Sequence, residues 1–132
     1  MMIELENIFK DASVGINSSR RKTGVRLLPY CEIRHKDIQY LARVKAMLLN
    51  LSVSCTVRKG FLRIQGIQNC LLITQFITTE WWLKAMKMFE EGKHLTDVGL
   101  IEIAKLRDEN SSKKNILTRR DVGDVAKIMA EK

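Results

Sequence analysis

The sequence predicts an α+β domain in which a four-stranded antiparallel sheet is covered on one face by helices. Three observations lead there. Apolar and polar residues alternate at a period of two in four short stretches, residues 13–19, 25–35, 51–57 and 61–66. Apolar residues recur at helical spacing before, between and after these stretches. The order is therefore helix, two strands, helix, two strands, then helices, which one sheet with a single helical layer satisfies. With 132 residues, 45% of them apolar, the chain reads as one domain spanning 1–132, able to bury a core.

Residues 2–12 place Ile3, Leu5, Ile8, Phe9 and Ala12 at helical spacing, free of Gly and Pro. Residues 13–19 alternate loosely and lead into a basic turn, Arg20-Arg21-Lys22-Thr23-Gly24. The next strand, 25–35, puts Arg26, Tyr30, Glu32 and Arg34 on one face and Val25, Leu27, Cys31 and Ile33 on the other. Pro29 has no N–H to give a ladder, so this strand is expected at an edge or with a bulge. Asp37 is an expected N-cap for a helix through Asn50, with Ile38, Leu41, Val44, Leu48 and Leu49 as its core stripe. In 51–57 the residues Leu51, Val53, Cys55 and Val57 are expected to point inward. Arg58-Lys59-Gly60 forms a hairpin turn into 61–66, whose polar face carries Arg63 and Gln65. A short helix at 67–76 is followed by one opening at Thr79 with Trp81, Trp82, Leu83, Met86 and Phe89, closed by Gly92. At helical spacing, packing of at least one tryptophan in the core is the expectation. A helix at 96–106, a polar linker at 110–115, and a last helix at 119–129 capped by Thr118 with Asp121 complete the chain.

Charge is segregated. Between Asn17 and Gly66 stand eleven Lys or Arg and only two acids, Glu32 and Asp37, so this stretch holds +9 of a net +8 and the remainder is −1. The same stretch carries most of the expected strands. A basic sheet face is the electrostatic footprint for phosphate backbones. Arg20, Arg21, Lys22, Arg26, Tyr30, Glu32, Arg34, Arg58, Lys59, Arg63 and Gln65 are the candidate nucleic-acid contacts, with arginines suited to phosphates or guanine edges and Gln65 to adenine. Cys31, Cys55 and Cys70 are isolated, and neither His35 nor His94 stands near them at metal spacing. The thiols read as small buried hydrophobes of a reducing, intracellular compartment, cytoplasm or organelle interior. No triad, glycine-rich phosphate loop, signal peptide or membrane span is discernible.

The segment IFKDASVGI, residues 8–16, resembles the end of the motif of the LAGLIDADG homing endonucleases as it enters its first strand. Later segments resemble that family in order: IRHKDIQYLARVKAMLLNL, FLRIQGIQNCLLITQFI and LTDVGLIEIAKLRDENSSKKN. The resemblance implies an αββαββα domain whose motif helix, here 3–12, pairs with a second such subunit, so that two sheets straddle a DNA major groove. It also implies that Asp11 binds a divalent metal, Mg²⁺, at the subunit junction, since phosphodiester cleavage needs a metal-activated water. By the same resemblance Lys84 matches a charge-stabilising lysine and His35 a polar position near the active site.

The departures are specific. Glu6 stands at a glycine position of the helix crossing, Glu4 at a leading leucine position, Asn7 is polar, and Ala12 replaces the glycine after Asp11. An unpaired carboxylate in a close helix crossing costs several kcal/mol. The reading is therefore a nucleic-acid-binding protein, of DNA or RNA, with a degenerate motif helix. An active Mg²⁺-dependent endonuclease working as a homo- or heterodimer is the second reading. A structural subunit docked on RNA in a larger particle is the third.

Overall fold

The computed structural model describes the backbone of residues 2–21 and 24–110, with the side chains of residues 5–19 and 25–109. The side chains of Arg20, Arg21 and Lys22, most of the expected linker at 110–115 and the expected helix at 119–129 lie outside them. The elements run α1 (Met2–Phe9), β1 (Ser13–Arg21), β2 (Gly24–Arg34), α2 (Ile38–Asn50), β3 (Thr56–Arg58), β4 (Phe61–Gln65), α3 (Ile67–Ile73), α4 (Glu80–Glu90) and α5 (Asp97–Asn110). One four-stranded sheet has the order β1-β2-β4-β3, with β4 antiparallel to both β2 and β3. The α+β class and the element order are those the sequence predicts.

The described chain falls into two compact units: residues through Gly15 together with Pro29–Thr78, and Ile16–Leu28 together with the chain from Thr79 onward. In the first unit the Asp37 carboxylate accepts from the Gln39 N–H at 2.9 Å and caps α2. Leu41, Val44 and Leu48 of that helix are buried, α2 packs on β3 and β4, and Val53, Leu62 and Ile64 are buried with them. Ile38 and Leu49, expected in the stripe, are instead more than half exposed, at 56% and 55%. The buried stripe is therefore one residue wide per turn.

The strand expected over 51–57 is shorter. Residues 51–53 close α2: Ser52 takes φ +64, its N–H bonds Leu49 O, and the Val53 N–H reaches back to Leu48 O, both at 2.9 Å. That six-to-one and five-to-two pair is a Schellman closure with serine in the left-handed position. Leu51 is consequently exposed, Val53 is buried, and strand pairing begins only at Thr56.

Pro29 is also placed otherwise than expected, because β2 is an interior strand. Its register with β4 ends at Tyr30 opposite Gln65, and Pro29 O accepts from the Gly66 N–H at 3.1 Å. In a strand, N–H and C=O of one residue point the same way, so the missing N–H lies beyond the end of β4 and no ladder bond is lost.

In the first unit, α1 buries Leu5 and Phe9, and the Phe9 ring stacks on Phe76 at 5.3 Å. The helix ends at Phe9, one turn before the expected Ala12. In the second unit, α4 and α5 pack together and bury Trp82, Ala85, Met86, Phe89, Ile103 and Ala104, while Trp81 is half-buried. The Thr96 hydroxyl accepts from the Gly99 N–H at 2.9 Å to start α5. A Cβ on Gly99 would fall 1.6 Å from Lys93 O, so only glycine fits where this helix meets the preceding turn.

Candidate nucleic-acid interface

On the outward faces of β2, β4 and β3 in the first unit, the register sets Glu32 opposite Arg63, Tyr30 opposite Gln65, and Arg34 opposite Phe61. On the other side of β4, Thr56 faces Arg63 and Arg58 faces Phe61. Arg63 is therefore central. Its Nε donates to Glu32 Oε1 at 2.9 Å, its Nη2 contacts the same oxygen, and Arg34 Nη2 reaches Glu32 Oε2 at 3.3 Å. The Arg63 guanidinium lies 5.0 Å from the Tyr30 ring centroid and 5.9 Å from that of Phe61.

Glu32, expected among the outward contacts, is buried at 6% exposure beneath the two arginines. A carboxylate so placed is stabilised only because it is paired. Its two oxygens are taken up by Arg63 and Arg34. Arg34 keeps 75% of its side chain exposed, and Arg58, Lys59 and Gln65 are exposed as well. Arg26 is exposed on β2 in the second unit.

Two members of this cluster escape sequence reading. Phe61, between Arg34 and Arg58, reads from the sequence as a strand hydrophobe. Gly15 of β1 lies under Tyr30: a Cβ there would fall 2.5 Å from the Tyr30 hydroxyl oxygen. The glycine thus makes room for the ring on which Arg63 rests. The only hint in the sequence is a glycine inside an alternating stretch, a mark of close approach.

The three residues proposed for cleavage stand on separate segments of the chain. Asp11 is exposed in the turn after α1, where the Ala12 N–H bonds Phe9 O at 3.1 Å. His35 is committed locally: its Nδ1 accepts from the Asp37 N–H at 3.0 Å, and its ring lies 4.2 Å from that of Tyr40. Lys84 belongs to the second unit, exposed at the rim of a groove of about 200 Å³ with Glu80, Trp81, Leu106 and Glu109. Among the described residues no three His, Cys, Asp or Glu side chains cluster as metal ligands. Asp11 brings one carboxylate, whereas Mg²⁺ takes six oxygens, so a cation at Asp11 needs oxygens from phosphate, water or a second chain.

No family model matches the chain, and no curated protein matches it. Solved structures do. The homing endonuclease I-TnaI is 23% identical with a TM-score of 0.69, covering 99% of this chain and 97% of that one. The archaeal intron-encoded homing endonuclease I-Vdi141I, complexed with DNA, is 19% identical with a TM-score of 0.70, over 98% and 94% of the two chains. The LAGLIDADG homing endonuclease I-GzeII, in complex with its DNA target, is 19% identical with a TM-score of 0.68, over 94% of this chain and 48% of that one.

The fold is that of the LAGLIDADG homing endonucleases.

α1 is the helix whose end resembles the family's motif in sequence. Leu5 and Phe9 are buried, Glu6 and Asn7 are exposed, and Lys10 is exposed in the turn that follows. Where a LAGLIDADG helix offers small residues to a partner, the described exposed residues of α1 offer a carboxylate and an amide. No described helix is long and apolar enough to cross a membrane.

Proposed function

We propose that this chain is a DNA-binding protein that docks duplex DNA on the polar face of its sheet, without the standard symmetric cleavage dimer. The observation that supports it most is the arginine array, with Arg34, Arg58 and Arg63 carried on adjacent strands of one face. Cations spread along a twisted sheet are spaced to follow a phosphate backbone and reach base edges. Neighbours of the same fold complexed with DNA point to duplex DNA as the partner.

The exposed Glu6 supports the second half of the reading. A symmetric pairing through α1 would bring each Glu6 toward its own copy in a crossing with no room for solvation, and like charges there oppose association. A metal centre built on Asp11 at that junction would lose its second carboxylate.

One observation favours cleavage instead: Asp11 is retained, exposed and at the end of the motif helix. With a second, better-preserved subunit it would supply half of a metal site, where the cation would activate water.

The test is incubation of the purified chain with a randomised duplex library and Mg²⁺, alongside Asp11→Asn. The expected result is binding without cuts in both proteins. Metal-dependent cuts that vanish in the mutant would replace this reading with the endonuclease. Binding to RNA but to no duplex would replace it with an RNA-bound role.

A further inference from the structure

We infer that Arg63 reads a guanine in the major groove, and that Glu32 is the positioning residue that aims it. This rests on the proposed DNA docking to the same face. Arginine carries five N–H donors. Here Nε and one N–H of Nη2 are committed to Glu32 Oε1, which is the side-on edge of the guanidinium. Among the described residues the end-on edge, Nη1 with the second N–H of Nη2, has no partner. About a third of the side chain, 34%, is exposed.

That residual edge is a two-pronged donor. In the major groove only guanine presents two adjacent acceptors, O6 and N7; adenine pairs an acceptor with an amino donor, and the pyrimidines offer a single polar group. A phosphate is the poorer match, because two hydrogen bonds hold the Glu32 carboxylate against Arg63, where it would repel an anionic oxygen, whereas Arg34 meets it through one contact at 3.3 Å and stays 75% exposed. Arg34 and Arg58, exposed on the flanking strands, suit phosphates better. Arg63 is also held. Two hydrogen bonds to a buried carboxylate and the rings of Tyr30 and Phe61 remove the rotamer freedom that a free arginine would lose on binding. Gly15, under Tyr30, extends the support into β1.

The experiment uses the full chain. A randomised duplex DNA library is enriched on wild type at fixed salt. Each guanine of the enriched duplex is then replaced singly by 7-deazaguanine, which keeps the base pair and lacks N7. At one guanine the replacement should cost wild type roughly tenfold in affinity. The same replacement should cost Arg63→Lys no more than about twofold, since lysine keeps the charge but not the fork. Glu32→Gln should blunt the guanine penalty, which a purely structural pair would leave unchanged; tighter binding to unselected duplex follows from the lost negative charge in either case. The inference is overturned if the penalty persists unchanged in Arg63→Lys, or if wild type binds the duplex with no guanine sensitive to replacement. If Arg63→Lys does not fold, the Glu32→Gln comparison decides by itself. Wild type that binds no duplex at all would overturn the proposed function, and this inference with it.

Discussion

Cys31 and Cys70 are buried, and burial pushes both thiols up, Cys70 to about 12 and Cys31 further. Cys55 is half-buried, and its smaller upward shift from burial is opposed by the nearby Lys45. Since the thiolate is the nucleophile, Cys55 should react first and almost alone with iodoacetamide on the native protein at pH 8. Peptide mapping after a short pulse checks this; modification of Cys31 or Cys70 at the rate of Cys55 would contradict the packing. Such inertness was legible in the sequence, because cysteines isolated from one another and from histidines read as small buried hydrophobes. The Glu32–Arg63 pair was not. Alternation put both on outward faces, but their meeting depends on the register of β2 against β4, across 31 residues of chain. Glu32 read as a contact residue for the same reason: sequence places a side chain on a face without saying what lies over it. Gly15 was hidden because its role belongs to the tyrosine of the next strand.

Among the elements, α2 carries the first unit's core, with Leu48 fully buried at its C-terminal end. Leu48→Ala removes a side chain from a close-packed site and should cost about 2–5 kcal/mol in chemical denaturation; a near-neutral result would show that the surroundings collapse into the space. The same residue explains why the expected strand at 51–57 starts late. Leu48 O accepts the Val53 N–H, so the helix closure takes residues that alternate as a strand would. Periodicity cannot distinguish these outcomes, because a capping turn of alternating residues and the first rungs of a strand share a pattern. The helices at α2 and α4 were legible for the opposite reason: each has an N-cap residue type and apolar residues at helical rather than alternating spacing. In the second unit, burial pulls His94 below its ordinary value of 6.5, a backbone contact with Phe89 opposes the shift, and the Arg26 charge adds to it. The folded state then binds a proton less readily than the unfolded chain. Stability from this group is present above 6.5 and lost as pH falls below it. Thermal melts at pH 7 and pH 5 should therefore differ more in wild type than in His94→Phe, and equal differences would contradict the assignment.

At the scale of the whole molecule, assembly and charge are the properties in question. The described exposed residues of α1, Glu6 and Asn7, are not the small residues of a close homotypic crossing. The chain alone should sediment as a monomer or weak dimer at micromolar concentration. Glu4→Gln with Glu6→Gln should promote self-association if repulsion is the obstacle; a tight wild-type homodimer would restore the symmetric endonuclease. The net charge of +8 was legible at once, as was its concentration in residues 17–66. What it engages is tested most directly by the dependence of duplex DNA affinity on salt. Each phosphate contact removed should lower the slope of log affinity against log salt by roughly 0.9. For Arg26→Ala, Arg34→Ala and Arg58→Ala combined, the slope should be shallower than wild type by about two to three. Parallel slopes for wild type and the triple variant would show that DNA does not lie on this face of the sheet.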